Sequence, residues 1–579
     1  MSTSRKQRAG YWIAGGLLVL IGLFLPRDWY DALPTNPDVP LPPLKGVTLL
    51  QFVCILEGLV FFCLGWRGWT YVRLTAEERL PITTPDGDTE MKESISRKLL
   101  AAITLLALFL RILHLNTDFW LDEIRATLDA VEMSTLQVIG SYLRSNVHML
   151  NTLFMKLTIE VFGEAEWTAR LPAVLFGTAT IPALYWVSRL ALSRGASLGA
   201  ALLLAVSYHH IFFSQNARGY VLYLFFSLVS SALLVRGFQG DRANTWILYI
   251  LTMVLNFASL LISVFVLASH IVVGAIALGL LQLRGISPLP LFKRFAIVFG
   301  VTGVLVFQLY SLMLPQVIAY LNVSYTTPTS GYPIFSGEFV REMIRGLSAG
   351  FGPGLFLGVV PFLILAGAGF LVFLRRQWTL ASALALPAIL TTVFLIVNGL
   401  TVSPRFFLLG LPVAILTAIQ AISSSTNLLA KKLGKTSGFS RKLATALVSL
   451  LSAMSLFSLI HYYSVPKQAY RASLQYIEEN RQPGEIVIVI HIAERGYRYY
   501  GRDLIEGHDV FFVSSEEKLD AVLSAHGERD KYLVTTFPRA LYLVHPELKT
   551  RIEKGWLVVQ RFPGTIGDGQ ISVWKQKPL

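Results

Sequence analysis

Charged residues are scarce in this sequence. Only 15% of its 579 residues are Asp, Glu, Lys or Arg, whereas 54% are hydrophobic and the mean hydropathy is +0.56. Soluble globular proteins average about 25% charged residues, and the charge present here cannot cover the surface of a water-soluble body of this size. The composition therefore excludes an ordinary soluble protein and predicts an α-helical polytopic membrane protein.

Cysteines and basic runs are also scarce. The two cysteines, Cys54 and Cys63, lie in one apolar segment, so they offer neither a disulfide framework nor a metal-binding cluster. The net charge is +14, but no long basic run with interleaved aromatic residues occurs, which excludes nucleic acid as a partner. The basic residues lie instead in the segments between apolar runs, where they orient a protein in the bilayer.

Apolar runs long enough to form membrane-spanning helices recur along the chain. A span needs about 20 residues, and we predict about thirteen of them. The predicted spans are 11–25, 47–66, 99–114, 171–191, 197–213, 219–237, 245–259, 262–282, 295–313, 354–374, 379–397, 405–422 and 443–463. Lys and Arg gather in alternate connecting segments, beginning with Arg5, Lys6 and Arg8. This alternation predicts a cytoplasmic N-terminus.

The composition changes after the last predicted span. Strand-like and helix-like runs alternate there, which predicts a small C-terminal α/β domain outside the cytoplasm. The predicted strands are 485–490, 510–513, 531–536, 556–562 and 571–574, and the predicted helices are 467–480, 516–525 and 539–554. The predicted domains are 1–98 (two spans and a cytoplasmic linker, 82–95), 99–463 (a transmembrane core) and 464–579 (the α/β domain).

An acidic segment after the third predicted span is the first candidate for chemistry. If it is helical, Asp122, Arg125 and Asp129 lie on one face and Glu123 points about 100° away. Carboxylates at the mouth of a membrane cavity are costly unless they are paired or used. Two interpretations stay open: a catalytic carboxylate, or a solvated acidic loop paired with Arg125.

Two arginines are predicted at the same membrane face. Arg218 lies between the fifth and sixth spans, and Arg405 begins the twelfth. Each arginine fits one of two roles: it binds a phosphate through two hydrogen bonds, or it anchors the chain at the membrane interface. His209 and His210, just before Arg218, fit metal ligands or hydrogen-bonded structural groups. A phosphate-bearing amphiphile explains these segments jointly, because arginines hold phosphate and a carboxylate activates an acceptor.

These segments resemble the GT-C glycosyltransferases of the protein O-mannosyltransferase type, a group that includes the aminoarabinose transferases of lipid A. The patterns that carry the resemblance are Asp122-Glu123, His148, Phe162-Gly163-Glu164, Arg170-Leu171-Pro172, the run from Ser214 to Tyr220 (SQNARGY) and Arg405. The two prolines that follow the histidine in the family are absent after His148. The resemblance covers residues 99–240 and extends to the rest by topology.

The resemblance implies an inverting glycosyltransferase of the plasma (cell inner) membrane. Its donor would be a polyprenyl-phosphate monosaccharide, and its acceptor a glycan, lipid or protein on the extracytoplasmic side. Asp122 is then the general base, and Glu123 is the second catalytic carboxylate, which orients the acceptor. The expected substrate-binding residues are Arg125, His148, Gln215, Arg218, Tyr220 and Arg405.

A divalent metal ion is a further expectation from this group, with Glu123, His148 and His210 as candidate ligands. The alternative from another class is a transporter or flippase of a lipid-linked glycan intermediate. Such folds usually show internal repeats and charges at the midplane of broken helices, and neither is evident in this sequence.

Overall fold

Long helices form the chain as far as Ser464, and a small mixed sheet with short helices forms the rest. The computed structural model describes residues 5–26, 28, 33–35, 45–67, 73–80, 91–143, 147–324, 336–337, 341, 352–398, 405, 408–501 and 509–577. Of the predicted linker 82–95, residues 82–90 lie outside the described residues. The predicted class, a helical membrane protein with a small C-terminal sheet unit, is confirmed.

Each predicted span coincides with a helix or with a bent pair of helices. The helices are α1 (Arg5–Phe24), α2 (Gly46–Arg67), α3 (Glu93–Ile112), α4 (Leu121–Glu132), α5 (Thr135–Gly140), α6 (Met149–Phe162), α7 (Glu166–Ser188), α8 (Arg194–Ala205), α9 (Tyr208–Ser214), α10 (Tyr220–Gly240), α11 (Ala243–Ser259), α12 (Val264–Leu283), α13 (Leu289–Tyr310), α14 (Leu314–Ser324), α15 (Gly352–Arg376), α16 (Trp378–Val397), α17 (Gly410–Lys432) and α18 (Ser437–Ser464). The predicted break near Ser259 is confirmed, since α11 ends there and a short 3-10 turn precedes α12.

The number of spans stays a prediction. Among the described residues, eight helices are long and apolar enough to cross a membrane, or nine if α8 and α9 form one span bent by 60°. The part of α1 from Arg8 to Phe24 and helix α11 are also apolar but are shorter than these eight. The short helix α6, with 14 residues, is not among the eight.

Helix α10 occupies the centre of the bundle. In its most apolar stretch 83% of residues are buried, against 17% for α18 at the periphery. The turn after α10 is closed by Asp241, whose backbone is left-handed at φ 40°. Its carboxylate accepts hydrogen bonds from the Leu74 N–H at 2.7 Å and the Trp246 indole N–H at 2.9 Å. Aspartate tolerates this conformation better than most residues, so the tight reversal into α11 is feasible.

The sheet has the strands β1 (Ile486–Ile490), β2 (Val510–Val513), β3 (Lys531–Thr536), β4 (Trp556–Phe562) and β5 (Ile571–Gln576). Their order is β2-β1-β3-β5-β4, with β2, β1 and β3 parallel and with β5 antiparallel to both of its neighbours. All residues of the interior strand β1 are buried, as expected for a strand covered on both faces. The predicted strands agree closely with these bounds.

The helices beside the sheet are α19 (Tyr470–Asn480), α20 (Ala493–Tyr500), α21 (Glu516–Ala525), α22 (Pro538–Val544) and α23 (Pro546–Gly555). The predicted single helix 539–554 was wrong, because Pro546 lacks the N–H that a continuous helix needs and restrains His545 before it. Helix α20 was not predicted, since its glycine and aromatic residues have low helix propensity.

The sheet unit docks directly on the helical part. One buried apolar cluster contains Phe119 and Ile124 from the helical part together with Tyr470, Val487 and Tyr497 from the sheet unit. The two parts therefore share a core around α4, and this shared core places the sheet next to the acidic segment.

Candidate active site

The candidate site is built on α4, which starts at Leu121. Its first turn carries Asp122 and Glu123, and acidic residues are favoured there by the helix dipole. The segment is helical, as the pattern of Asp122, Arg125 and Asp129 required. Glu123 and Ile124 are buried, whereas Asp122 and Arg125 are half-buried, so the helix presents different side chains to the core and to the site.

The Asp122 carboxylate lies beside two arginines that are distant in sequence. Arg405 Nη1 donates to Asp122 Oδ2 at 3.0 Å, and Arg218 Nη2 lies 4.0 Å from the same oxygen. The side chain of Asp122 is 19% exposed and that of Arg405 is 29% exposed. Two guanidinium groups therefore converge on one partly exposed carboxylate, and paired guanidinium groups suit the binding of a phosphate.

Glu123 has a different environment from Asp122. It is fully buried and accepts hydrogen bonds from Arg170 Nε and Nη2, each at 2.8 Å, and from the Ala217 N–H at 2.8 Å. Lys467 Nζ lies 3.3 Å from Glu123 Oε1, and the Trp120 N–H lies 3.4 Å from Oε2. Protein donors thus occupy both carboxylate oxygens, and we call Glu123, Arg170 and Lys467 the buried cage.

Arg170 links the cage to the loop before α4. Its Nη1 donates to the carbonyls of Leu115 at 2.6 Å and Thr117 at 2.7 Å, and its Nη2 donates to the carbonyl of Asp118 at 3.1 Å. Its guanidinium also lies over the Phe119 ring, 5.0 Å from the ring centroid. Arg170 therefore fixes the path of the chain into the turn that carries Asp122.

The charges of the cage shift the pKa values of its members. Burial alone would raise the pKa of Glu123, but the charges of Arg170 and Lys467 outweigh it and lower this pKa to about 2. Burial lowers the pKa of Lys467 to about 7, although the Glu123 charge acts in the opposite direction. Glu123 is therefore ionised at neutral pH and pairs with the Arg170 cation.

The cage predicts a pH dependence of stability. The pKa of a glutamate in an unfolded chain is about 4.3, which is higher than the pKa of Glu123 in the folded protein. Ionised Glu123 therefore stabilises the fold fully above about pH 4.3, and this contribution is lost as the pH falls towards about 2. We expect the melting temperature of wild type to decrease as the pH is lowered from about 5 to about 3. Glu123→Gln should melt at a lower temperature than wild type at neutral pH, and its melting temperature should decrease much less over the same pH range. Glu160→Gln is the control, since Glu160 is 60% exposed. If the melting temperature of Glu123→Gln decreased with pH as steeply as that of wild type, Glu123 would not be the group responsible for the pH dependence.

His148 and Tyr220 lie together near the arginines. The His148 ring meets the Tyr220 ring edge to face, with 4.8 Å between centroids. Burial, with the charge of Arg218, holds the pKa of His148 well below its usual range, so its imidazole is neutral. Tyr220 is buried beside Arg405. A β-carbon added to Gly219 would stand 3.0 Å from His148 Nδ1, so glycine permits this close approach.

Gln215, predicted to bind substrate, caps a helix in the structure. Its side-chain amide donates to the carbonyls of Arg111 at 3.0 Å and Leu113 at 2.5 Å, where α3 ends. Its side-chain oxygen accepts from the Tyr462 hydroxyl at 2.7 Å. These bonds satisfy carbonyls that the end of a helix leaves unpaired, so Gln215 contributes to the position of α3.

The candidate metal ligands have separate protein partners. Glu123 binds Arg170, His148 packs on Tyr220, and His210 Nδ1 lies 2.6 Å from Arg111 Nη2. In the part of the chain that the structure describes, no group of three or more His, Cys, Asp and Glu side chains has the arrangement of a metal site. The expected set of Glu123, His148 and His210 is therefore not brought together.

The segment that leads into the sheet unit also contacts α4 and its preceding loop. The Leu121 N–H donates to Gln468 Oε1 at 2.9 Å, and Arg471 Nη1 donates to Asp118 Oδ1 at 2.9 Å. Arg471 also donates to Glu166, at the start of α7. With Lys467 in the cage, these residues form a strap, residues 467–471, across the base of the site.

Sequence reasoning missed the strap and the role of Arg170. Arg170 was quoted only as part of a motif, and residues 467–471 were assigned to a helix of the C-terminal domain. The available signal was the placement of Lys467 and Arg471 directly after the last apolar run, where basic residues have an ordinary explanation as interface anchors. Nothing local distinguishes that explanation from pairing with Asp118 and Glu123.

Comparison with known proteins supports the predicted fold. Residues 149–284 match the family model described as dolichyl-phosphate-mannose-protein mannosyltransferase. The fold is similar to that of ArnT from Cupriavidus metallidurans bound to undecaprenyl phosphate, with 14% identity, 83% of this chain and 98% of that chain covered, and a TM-score of 0.52. The apo state of that ArnT gives 14% identity, the same coverage of 83% and 98%, and a TM-score of 0.51.

An archaeal protein shows a similar fold. The oligosaccharyltransferase AglB from Archaeoglobus fulgidus, in complex with an inhibitory peptide and a dolichol-phosphate, has 13% identity, with 82% of this chain and 74% of that chain covered and a TM-score of 0.51. A comparison with curated protein sequences found no match. The chain therefore has the GT-C fold that its motifs predicted, and this fold with the family match indicates a membrane glycosyltransferase.

Proposed function

We propose that the protein is an inverting glycosyltransferase that moves a monosaccharide from a polyprenyl-phosphate donor to a cell-envelope acceptor, which is a glycan, a lipid or a protein. The observation that carries the proposal is the position of the Asp122 carboxylate, 3.0 Å from Arg405 and 4.0 Å from Arg218. ArnT and AglB were solved with undecaprenyl phosphate and dolichol-phosphate, which supports a donor of this class.

The arginines and the carboxylate have complementary tasks. Before the donor binds, Asp122 neutralises part of the charge of Arg218 and Arg405. A donor phosphate competes for these guanidinium groups and leaves the carboxylate available to the acceptor. The acceptor hydroxyl or amine then attacks the anomeric carbon while the bond from that carbon to the phosphate oxygen breaks.

Protons and charges are conserved in this step. The acceptor's proton goes to Asp122, and the electron pair of the broken bond stays on the phosphate, which gains a second negative charge. The arginines stabilise that charge. Phosphate is a good leaving group, so no general acid is required, and a single displacement inverts the anomeric configuration.

The other predicted residues take supporting roles in this proposal. Glu123 acts as a positioning residue because protein donors occupy its oxygens, and Gln215 positions α3 in a similar way. His148 and Tyr220 form the wall beside the arginines, and Arg125 adds a cation on α4.

The topology of the chain forms a further part of the proposal. We assign the site to the extracytoplasmic face of the plasma (cell inner) membrane, with a cytoplasmic N-terminus, because of the alternation of Lys and Arg between spans. Residues 1–98 are then an N-terminal pair of spans with a linker, 99–463 the catalytic core, and 464–579 an extracytoplasmic domain. The docking of the sheet unit beside Asp122 supports its placement on the same face as the site.

Donor binding tests the role of the arginines. We expect Arg218→Ala and Arg405→Ala each to weaken binding of undecaprenyl phosphate by about tenfold or more, because each removes a charge-assisted contact. Arg561→Ala is the control, since Arg561 is exposed on the edge strand β4. Binding is measured on purified full-length protein by titration of undecaprenyl phosphate. Unchanged binding in both site variants would remove the arginines from the donor site.

Sugar transfer separates an enzyme from a transporter. Purified protein in detergent, given a radiolabelled polyprenyl-phosphate sugar and an envelope extract as acceptor, should release the lipid phosphate and label the acceptor. A transporter needs two compartments and would leave the donor intact under these conditions. An intact donor with every extract tested would contradict the proposal.

A further inference from the structure

The two helices that meet at the base of the site have no capping side chains of their own. Helix α4 has Trp120 at its N-cap position and α19 has Ala469, and neither side chain accepts a hydrogen bond from its own helix. The Trp120 indole carries only a donor, which bonds to Asn216 Oδ1 at 3.4 Å, and alanine has no polar side-chain atom. The first N–H groups of both helices therefore depend on acceptors from elsewhere in the chain.

Each helix receives an acceptor from the segment that precedes the other helix. Gln468, just before α19, accepts from the Leu121 N–H of α4 through Oε1 at 2.9 Å. Asp118, just before α4, accepts from the Arg471 N–H of α19 through Oδ2 at 2.8 Å. We call this pair of bonds the reciprocal cap. Its two bonds join residues that are 347 and 353 positions apart in the sequence, so they tie the sheet unit to the start of α4.

The sheet fixes the orientation of the Gln468 amide, whose side chain is fully buried. The Thr536 hydroxyl, at the end of β3, donates to the Gln570 carbonyl at 3.1 Å, so its oxygen remains to accept from Gln468 Nε2 at 3.0 Å. Because the amide nitrogen is committed to Thr536, Gln468 presents its oxygen to the Leu121 N–H. The sheet unit thus sets both the place and the direction of the cap on α4.

The cap acts one residue before the carboxylate of the site. Leu121 is the first residue of α4 and Asp122 is the second, so the backbone of Asp122 follows that of Leu121. Helix ends fray, and the bond from Gln468 opposes fraying in this turn. Asp122 Oδ2 lies 3.0 Å from Arg405 only while the turn is closed. A misplacement of about 1 Å lowers the rate of a positioned reaction by about 10²-fold, so the cap bears on chemistry as well as on stability.

We infer that Gln468 is a positioning residue for sugar transfer, because the reciprocal cap holds the first turn of α4 where the Asp122 carboxylate acts as the base. This inference rests on the proposed function. Gln468 acts through Leu121 and not by contact with the reacting atoms. The sheet unit then takes part in the reaction, since the bond to Thr536 orients the residue that caps α4.

Two replacements of Gln468 separate positioning from a purely structural role. Gln468→Leu removes the acceptor from the Leu121 N–H. Gln468→Glu keeps an acceptor oxygen and adds a negative charge, which a helix N-terminus favours, and the Thr536 hydroxyl is able to turn and donate to the new carboxylate. A structural role would lower the melting temperature without changing the rate constant of the folded protein.

Transfer is measured with purified full-length protein in detergent, a radiolabelled polyprenyl-phosphate sugar and an envelope extract, well below the melting temperature of each variant. We expect Gln468→Leu to lower kcat by about tenfold or more, with the donor KM and the binding of undecaprenyl phosphate close to those of wild type. Gln468→Glu should recover most of the lost kcat. Gln475→Leu is the matched control and should transfer as wild type does, because Gln475 is exposed on α19 and bonds to Glu479 of the same helix at 2.7 Å.

Hydrogen exchange tests the reciprocal cap without any need for activity. A helix cap is worth about 1 kcal/mol, so the amides at the start of α4 should exchange about fivefold faster in Gln468→Leu than in wild type. The same amides should keep the wild-type rate in Gln475→Leu. Asp118→Ala removes the other bond of the pair and should speed exchange at the start of α19.

Other outcomes would overturn the inference. A wild-type kcat in Gln468→Leu would leave Gln468 without a role in transfer, and equal losses in Gln468→Leu and Gln468→Glu would mean that the acceptor oxygen is unimportant. Weaker binding of undecaprenyl phosphate, in proportion to the lost transfer, would place Gln468 at the donor. A wild type that leaves the donor intact defeats the proposed function, whereas an active wild type with unchanged exchange in Gln468→Leu defeats only the reciprocal cap.

Discussion

Replacing Asp122 with asparagine should lower sugar transfer by about 10²–10⁴-fold, the contribution that a positioned general base usually makes. Asparagine keeps the size of the side chain but cannot accept the acceptor's proton. Because Asp122 is partly exposed and belongs to the first turn of α4, the substitution should leave the fold intact. The measurement is transfer from a radiolabelled polyprenyl-phosphate donor, with undecaprenyl phosphate binding measured on the same preparation.

The binding measurement gives this prediction a second readout. Loss of the carboxylate releases Arg218 and Arg405 from their ion pairs, so Asp122→Asn should bind undecaprenyl phosphate at least as tightly as wild type does. Glu132→Gln is the matched control, because Glu132 is an exposed carboxylate at the other end of α4. Transfer by Asp122→Asn within a few-fold of this control would remove Asp122 from the mechanism.

Replacing Arg170 with alanine should destabilise the protein by about 3–5 kcal/mol, the usual cost of breaking a buried ion pair from one side. Arg170 and Glu123 are 1% and 0% exposed, so the loss leaves the carboxylate buried with Lys467 and the Ala217 N–H. The carbonyls of Leu115, Thr117 and Asp118 lose their donor as well. Transfer should fall with stability, because the loop before Asp122 is no longer held.

The melting temperature of the purified protein measures this effect. Arg97→Ala is the control, since Arg97 also pairs with a glutamate, Glu93, but the two side chains are 78% and 60% exposed. Exposed pairs contribute about 0–1 kcal/mol, so this variant should melt close to wild type. If Arg170→Ala does not insert into the membrane, Arg170→Lys serves as a second variant. It keeps a positive charge but not the bidentate geometry, so its loss of stability should lie between those of wild type and Arg170→Ala. If Arg170→Lys melted at the same temperature as wild type, the two hydrogen bonds from Arg170 to Glu123 would not contribute to stability.

Some of the candidate site could be predicted before any coordinates. Asp122, Arg218 and Arg405 are charged residues at the ends of apolar runs, and charge in such places is conspicuous because a membrane protein has little of it. The structure brings these three side chains together. The chemical roles of the three residues stay predictions.

The roles of neighbouring acids were harder to predict. Asp122 and Glu123 are adjacent and chemically alike, yet one is accessible and the other is enclosed by Arg170 and Lys467. A helix turns about 100° per residue, so adjacent side chains face different surroundings. Which face is covered depends on segments that pack there, and here these are α7 and the strap, far away in sequence.

Local sequence patterns were sufficient to predict the class of the molecule, with helices at the apolar runs, a break at Ser259, and a C-terminal sheet whose strands lie close to their predicted bounds. Those features follow from local composition and periodicity, which act over a few turns of chain. The contacts by which Lys467, Gln468 and Arg471 hold α4 and its loop arise only when the chain is folded. Contacts between a sheet and a helix hundreds of residues apart depend on the packing of whole surfaces, and no local pattern records them.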